Sequence, residues 1–361
     1  MVGEFDLIAR IRARAGARDD VMLGIGDDAA LLAPRSGELL AVATDTLNAG
    51  IHFPHDTPPA DLGWKALAVN LSDLAAMAAE PAWCALSLSL PESDAAWLDA
   101  FLDGFLDLAD RHGVSLVGGD TTRGPLSVCV TVHGFVPAGM ALRRDAAREG
   151  DDLWITGTPG DAAAALTLLG HLPDSPHARP SPTGSGGGAR VRQPAHASHA
   201  LPADGAGNAR VADAEVRHRL RTRLDRPTPR VAAGLALRGL AHACIDVSDG
   251  LLADLGHMLR ASGVGAAVEI ARLPCSPALA ASFKGPARWR LQLAGGDDYE
   301  LLFSAPPHRR EAIAAALAAA ATPAAVIGRI VAGEGIAVRD PQGRPWTPPR
   351  RGYEHFTGDE G

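Results

Sequence analysis

Lysine is almost absent from this chain. Lys65 and Lys284 are the only lysines among 34 basic residues, so the other 32 are arginines. A phosphate site built around a lysine is therefore nearly excluded by composition. The formal net charge of −8 also argues against nucleic acid as the main partner. If the protein binds phosphates, we expect metal ions to neutralise much of their charge.

Long apolar runs and paired cysteines are lacking as well. The alanine-rich stretch at 312–321 is too short to span a membrane, and the N-terminus has no signal-peptide pattern. We therefore expect no membrane partner. The four cysteines are widely spaced and form no CxxC pair, which favours buried thiols over disulfides. These features predict a cytoplasmic protein.

Several well-known catalytic motifs are missing too. The chain has no GxxxxGK[ST] phosphate loop, no GxGxxG after its first strand, no HExxH and no GxSxG. These absences argue against a P-loop nucleotide hydrolase, a dinucleotide-binding fold of the usual kind, a zinc protease and a serine hydrolase.

Apolar periodicity predicts two successive α/β domains, residues 1–140 and 141–361. In the first, short β-rich runs at 39–47, 85–90 and 127–136 alternate with helical patterns at 62–80 and 93–112, the latter capped by Ser93. In the second, residues 171–225 are rich in Pro, Gly, Ser, Arg and His. That composition predicts a disordered insertion that buries no core.

Aspartates recur beside glycine at the ends of apolar runs. A carboxylate at the end of a strand is held by a rigid element yet reaches solvent, which suits Mg²⁺ and its oxygen ligands. Ser248-Asp249-Gly250 also opens a helix, whose free N–H groups suit an anion. The recurring residues are Asp27, Asp28, Asp45, Asp120, Asp246, Asp249, Asp297 and Asp298, and the helix at 62–80 adds Asp73.

Each of these motifs alone is typical of a turn or a helix cap. Their recurrence, with Thr44, Thr121 or Ser248 close by, indicates a shared site. Phosphoryl transfer assisted by several metal ions fits such a site, because the protein then supplies positioning and charge neutralisation. We therefore expect no separate catalytic acid or base.

The motifs resemble those of the thiamine-monophosphate kinase family. The matching stretches include GIGDDAALL, TDTLNAGIHF, LSDLAAMAAEP, DVSDGLL, GGDDYELLF and the terminal GYEHF, in family order along most of the chain outside 171–222. The family belongs to a superfamily with aminoimidazole ribonucleotide synthetase, selenophosphate synthetase and a hydrogenase maturation protein. The resemblance implies ATP-dependent phosphorylation of thiamine monophosphate to thiamine diphosphate.

The resemblance also implies roles for individual residues. The metal ligands for several Mg²⁺ ions would be Asp28, Thr44, Asp45, Asp73, Asp120, Asp246 and Asp249, with Asp27 as a further candidate. ATP would contact Gly119, Asp120, Arg144 and Ser248, although the adjacent Arg143 is an alternative to Arg144. The thiamine moiety would face His52, Asp297 and Tyr353. Position 297 is Asp where relatives often have Glu.

The fold implied is the two-domain α+β (α/β) architecture of aminoimidazole ribonucleotide synthetase. Its N-terminal sheet would pair with that of a second subunit in a homodimer, and the C-terminal domain would be α/β. Two other functions stay open. One is an ATP-dependent synthetase or activating enzyme of the same superfamily, and the other is a non-catalytic nucleotide-binding regulator. Lys65 could pair with a metal-ligand carboxylate or lie at the surface.

Overall fold

The computed structural model of the protein describes residues 3–16, 18–170, 213–347 and 352. Two main sheets, each flanked by helices, make up this part of the chain. None of the helices in these ranges is long and apolar enough to cross a membrane. All four cysteines are free thiols, and Cys84 and Cys244 are buried.

The first sheet has four strands and is covered by helices on one face. Its strands are β3 (Glu38–Asn48), β4 (Glu80–Leu90), β5 (Ser115–Arg123) and β6 (Ser127–Pro137), in the order β3-β6-β4-β5. β4 and β5 are parallel, and the other pairs are antiparallel. Before the sheet come α1 (Glu4–Arg14) and a hairpin of β1 (Val21–Leu23) and β2 (Leu31–Leu32). Its helices are α2 (Pro59–Ala76) and α3 (Ala95–Arg111).

The second sheet has six strands, ordered along the chain as β7 (Asp152–Thr156), β8 (Ala243–Asp246), β9 (Gly265–Glu269), β10 (Leu301–Ala305), β11 (Ala324–Val331) and β12 (Ile336–Arg339). Their order in the sheet is β12-β9-β11-β7-β10-β8. The helices around this sheet are α4 (Asp161–Leu168), α5 (Ala214–Asp225), α6 (Val231–Ala236), α7 (Leu251–Ser262), α8 (Pro277–Ser282), α9 (Gly285–Ala294) and α10 (Arg310–Ala319).

Helix α2 joins the two sheets. It packs against α3, β3 and β6 on one side and against α6, β8 and β10 on the other. Most of its side chains are buried, including those of Leu67, Leu71 and Leu74. One continuous apolar core therefore runs from the first sheet to Leu301 and Phe303 of the second. Polar groups on α2 are consequently held between the two halves of the chain.

Several sequence-based boundaries are wrong. The helix predicted at 62–80 ends at Ala76, because Ala78 takes a left-handed conformation with φ of 53° and Glu80 already begins β4. Asp94, not Ser93, caps α3, and its carboxylate accepts the N–H groups of Ala96 and Trp97.

The predicted disordered insertion at 171–225 is also wrong at its C-terminal end. Residues 214–225 form α5, which contacts α4 and α8. Leu220 and Leu224, one turn apart, are fully buried in a small core with Leu279. The composition of the whole 171–225 segment does not reveal these two leucines, because arginines surround them in the sequence. Residues 171–212 lie outside the described part.

Candidate active site

Four carboxylates meet where α2 passes between the sheets. Asp45 lies on β3, Asp73 on α2, Asp246 at the end of β8 and Asp249 in the loop that follows. The charges of Asp45 and Asp246 act on Asp73, and that of Asp249 acts on Asp45. The structure thus brings together four of the predicted metal ligands from three elements and a loop.

Helix α2 positions two of these carboxylates with its own polar side chains. The Ser72 hydroxyl donates to Asp246 Oδ2 over 2.7 Å. The Asn70 side-chain oxygen accepts the backbone N–H of Asp45 over 2.9 Å. Ser72 and Asn70 are almost fully buried. Because both belong to the same helix as Asp73, the spacing between β3, α2 and β8 is set by one rigid element.

Three of the four carboxylates in this cluster resist ionisation. Burial raises the pKa of Asp73, and the charges of Asp246 and Asp45 raise it further. Burial and then the charge of Asp249 raise the pKa of Asp45. Burial also raises the pKa of Asp246, against the hydrogen bond from Ser72. Like charges held this close need a cation before they can all ionise at neutral pH.

The donor set fits Mg²⁺. The cluster presents several hard carboxylate oxygens, which Mg²⁺ prefers, together with neighbouring hydroxyls and amides. Within the described ranges no three His, Cys, Asp or Glu side chains converge closely enough to enclose an ion alone. Mg²⁺ usually keeps several waters and takes substrate phosphates as further ligands.

Arg144 lies near enough to the acidic cluster for its charge to act there. Its charge lowers the pKa of both Asp73 and Asp246, against the effect of burial. The neighbouring Arg143 instead pairs with Asp145 over 2.5 Å, and its side chain is 66% exposed. The two adjacent arginines therefore have different surroundings. This difference favours Arg144 over Arg143 as the candidate that contacts ATP.

The loop after β8 is held by an acid that the sequence analysis missed. Asp254 Oδ2 accepts the backbone N–H groups of Ser248, Asp249 and Gly250, each over 3.1 Å. Burial and then the charges of Asp246 and Asp249 raise the pKa of Asp254 to about 8. Asp254 therefore already pairs with the N–H groups of 248–250, while the expectation that the first turn of α7 suits an anion stays a prediction. An acid in the first turn of a helix was the available signal.

Residues 295–300 run beside that loop. The N–H of Asp297 donates to the Ser248 carbonyl and that of Tyr299 to the Val247 carbonyl, both over 2.8 Å. A β-carbon at Gly296 would lie 2.5 Å from the Ser248 carbonyl oxygen, so only glycine permits this approach. The predicted substrate-facing Asp297 and the predicted metal and ATP residues thus share one backbone framework.

Lys65 is not at the surface. Its side chain is 1% exposed, and Nζ forms an ion pair with Asp297 Oδ1 over 3.2 Å. The Tyr299 hydroxyl donates to the same oxygen over 3.1 Å. Of the two roles left open for Lys65, pairing with a carboxylate is the one observed, although the partner is the predicted substrate residue.

A second group of predicted residues lies on the first sheet. Gly119 and Asp120 line a cavity of about 80 Å³ together with Ile25, next to the loop that carries Asp27 and Asp28. Gly119 has φ of 150°, and a β-carbon there would lie 1.8 Å from the Leu86 carbonyl oxygen. Close strand contact therefore requires glycine at this position.

The other candidates on this sheet have local partners. The Asp27 carboxylate accepts the N–H of exposed Asp28 over 2.8 Å. The Thr44 hydroxyl contacts that of Thr131 over 2.9 Å, on the sheet face away from α2. His52 Nδ1 accepts the N–H of Asn48 over 2.9 Å, which ties it to the end of β3.

Tyr353 lies outside the described residues, but its neighbour Gly352 does not. A β-carbon at Gly352 would lie 2.9 Å from the Asp249 carbonyl oxygen and 2.4 Å from Ala253 Cβ. Residue 352 therefore packs directly against the loop after β8.

Comparison with known proteins agrees with this architecture. Residues 26–136 match the family model of the AIR synthase related protein N-terminal domain, and residues 195–341 match that of the C-terminal domain. The fold is that of an AIR synthase related protein.

Similar proteins of known identity narrow this further. The thiamine-monophosphate kinase of Escherichia coli K12 is 45% identical over 357 residues, which is 98% of each chain. The crystal structure of thiamine-monophosphate kinase from Stenotrophomonas maltophilia has 49% identity and a TM-score of 0.77, covering 93% of this chain and 96% of that one. A complex of AaThiL with AMPPCP and TMP has 27% identity and a TM-score of 0.68, covering 98% and 97%. The chain belongs to the thiamine-monophosphate kinase family.

Proposed function

We propose that this protein transfers the γ-phosphoryl group of ATP to thiamine monophosphate and releases ADP and thiamine diphosphate. The observation that carries the proposal is the cluster of Asp45, Asp73, Asp246 and Asp249 with Arg144 between two family-matching halves. A relative of the same fold has been solved with AMPPCP and TMP together. Both substrate classes therefore suit this architecture.

The cluster would hold Mg²⁺ through Asp45, Asp73, Asp246 and Asp249. Bound there, the metal would neutralise phosphate charge and align the reacting groups. Asp28, in the loop between β1 and β2, and Asp120 of β5 are proposed to complete the metal shell, and Asp120 lines a cavity with Ile25 of the same loop. The Thr44 hydroxyl faces away from α2 and contacts that of Thr131, so Thr44 is proposed to contribute its backbone oxygen.

Arg144 is proposed to contact the phosphates of ATP, with Gly119, Asp120 and Ser248. Because Arg144 lies near enough to the acidic cluster for its charge to act there, a bound polyphosphate would sit between the carboxylates and this guanidinium. Asp297, His52 and Tyr353 are proposed to face thiamine monophosphate, and Asp297 is connected to the Ser248 loop by a backbone hydrogen bond.

Transfer breaks the bond between the γ-phosphorus and the oxygen that bridges it to the β-phosphate. A new bond joins the γ-phosphorus to an oxygen of the acceptor phosphate. That oxygen is already anionic at neutral pH, so no residue has to remove a proton from it. The protein's part is to position two anions and to exclude water.

The test is an assay with purified protein, ATP and thiamine monophosphate, with Mg²⁺ titrated and the products separated. We expect thiamine diphosphate and ADP in equal amounts, and no activity with EDTA. ADP and free phosphate without thiamine diphosphate would refute the proposal and indicate a synthetase of the same superfamily. Nucleotide binding with no turnover would indicate a regulator.

We also propose a homodimer formed through the first sheet. Leu40 and Val42, on the face of β3 away from α2, are 48% and 56% exposed. Apolar side chains on the open face of a sheet mark a surface that a partner covers. A second copy of the sheet would be the partner. Light scattering should show a dimer for the wild type and a monomer for Val42→Lys, whereas a dimeric variant would contradict this surface.

The compartment stays a prediction as well. We propose a cytoplasmic location, which agrees with four cysteines that all remain free thiols. Burial raises the pKa of Cys84 and Cys244 beyond the usual range, so these thiols are unreactive inside the fold.

A further inference from the structure

Lys65 is a buried ammonium whose hydrogen-bonding capacity is not used within the described protein. Its side chain is 1% exposed, in the middle of α2. The contact with Asp297 is close enough for an ion pair, but Nζ has no partner with hydrogen-bond geometry among the described residues. An ammonium has three N–H donors, and leaving them unused in the interior is costly. Packing alone therefore does not explain a lysine here.

The charge of Lys65 is directed toward Asp297. Asp225, at the end of α5, also senses this charge, since Lys65 lowers its pKa against the larger effect of burial. Asp225, however, is already paired with Arg221 on its own helix. Asp297 has no arginine partner among its described contacts, so Lys65 is the cation that faces it.

Asp297 is held in an unusual position. Its φ is 67° and that of Tyr299 is 50°, both in the left-handed region that side chains other than glycine seldom adopt. Lys65 and Tyr299 both contact the same oxygen, Oδ1. The side chain of Asp297 is 22% exposed, so it remains accessible while these two contacts fix its rotation. Strained backbone of this kind is kept where the surrounding structure holds it for function.

We infer that Lys65 is a positioning residue for the thiamine-binding side of the site. By holding Oδ1 together with Tyr299, it turns Oδ2 of Asp297 toward the thiamine moiety. This inference rests on the proposed function, because that function assigns Asp297 to the substrate. Lys65 belongs to α2, which also carries Asp73, so one helix sets both the metal-facing and the substrate-facing carboxylates.

The first test is Lys65→Met, which keeps the length and apolar stem but removes the charge. We expect the KM for thiamine monophosphate to rise about tenfold, while kcat and the KM for ATP change less than about twofold. Lys284→Met, at the only other lysine of the chain, is the matched control and should leave all three unchanged. An equal rise in both KM values, or none, would overturn the inference.

A double-mutant cycle separates positioning from packing. If Lys65 acts through Asp297, adding Lys65→Met to Asp297→Asn should raise the KM for thiamine monophosphate by less than about twofold more. If Lys65→Met and Asp297→Asn raise the KM for thiamine monophosphate by independent factors that multiply, Lys65 acts elsewhere.

A second measurement needs no variant at Lys65. Two lysines give two side-chain signals in protein labelled with ¹³Cε and ¹⁵Nζ lysine, and Lys284→Met identifies the signal of Lys65. We expect thiamine monophosphate to shift this signal in the wild type and to leave it unshifted in Asp297→Asn. If the enzyme makes thiamine diphosphate but saturating thiamine monophosphate does not shift the Lys65 signal, the inference about Lys65 is overturned and the proposed function stands. Enzyme that makes no thiamine diphosphate would refute the proposed function instead.

Discussion

Glu300 should be the most costly single charge to remove from the second half of the chain. It is fully buried and accepts hydrogen bonds from the Thr156 hydroxyl, from Arg223 and, through two nitrogens, from Arg230, all between 2.6 and 2.7 Å. Burial alone would raise its pKa. Arg230 and Arg223 outweigh burial, and the pKa of Glu300 is lowered. The carboxylate therefore stabilises the folded state.

The perturbation is Glu300→Gln, which keeps the shape and removes the charge. Breaking a buried ion pair on one side costs about 3–5 kcal/mol, because the partner charge is left uncompensated. The side chains of Arg230 and Arg223 are 13% and 23% exposed, so water relieves part of this penalty. We therefore expect a loss of about 3 kcal/mol in the free energy of unfolding at pH 7.

The loss should depend on pH in a definite direction. Below the ordinary Glu pKa of 4.5, the unfolded chain takes up a proton before the folded protein does. The stability that Glu300 supplies is therefore complete above about pH 4.5 and declines as the pH falls through the lowered folded-state pKa. Gln does not titrate, so the difference between the wild type and the variant should shrink at acid pH.

Urea unfolding followed by tryptophan fluorescence at pH 7 and near pH 4 measures both effects. The matched control is Glu215→Gln, which breaks the exposed Glu215–Arg219 pair on α5 and should cost less than about 0.5 kcal/mol. A loss below about 1 kcal/mol for Glu300→Gln at pH 7, or an equal loss for the control, would refute the reasoning.

Three further predictions concern the site. Asp73→Asn should cut turnover about a hundredfold and raise the Mg²⁺ concentration for half-maximal rate, with an unchanged circular dichroism spectrum; wild-type Mg²⁺ dependence would contradict a metal role. Arg144→Ala should raise the KM for ATP about tenfold and Arg143→Ala less than twofold, and the reverse ranking would assign the contact to Arg143. Asp254→Ala should lose about 1–3 kcal/mol of stability because it leaves three N–H groups unpaired, whereas Asp254→Asn keeps an acceptor. Equal melting temperatures for the two Asp254 variants would argue against this role.

Most elements could be predicted from local periodicity because their patterns are strong. The helix predicted at 93–112 is α3 apart from two residues at its start and one at its end, and the strand predicted at 127–136 is β6 apart from its last residue. Buried Val128, Val130 and Val132 give β6 its alternation. Helix α5 was missed because two leucines among many arginines carry a weak signal until another surface packs on them. The family resemblance is confirmed by the matches to both domain models and to curated relatives.

The site could be predicted only at the level of residue type. Turn motifs identified aspartates, and the structure brings four of them together, while the individual ligand roles stay predictions. Burial of Lys65 could not be predicted from α2 alone, since a helix with one lysine usually turns it to solvent. That burial follows from the position of α2 between two sheets, which involves contacts far apart in sequence.

The GGDDYE motif shows most directly why local sequence leaves the chemistry open. Asp297 lies beside Lys65 and reaches solvent. Asp298 is buried, its carboxylate accepts the Gly160 N–H, and burial raises its pKa well above the usual range. Glu300 is equally buried, yet its pKa is lowered because Arg230 and Arg223 face it.

Three acids within four residues thus differ in burial and in partners because three separate parts of the fold surround them. The loop before α4 surrounds Asp298, the arginines of α5 and of the turn before α6 surround Glu300, and α2 supplies the cation for Asp297. Of the three, only Asp297 combines accessibility with a buried cation that has donors to spare. A candidate ligand-binding acid differs from a structural one in being accessible and incompletely paired within the protein. Neither property can be predicted from the GGDDYE motif itself.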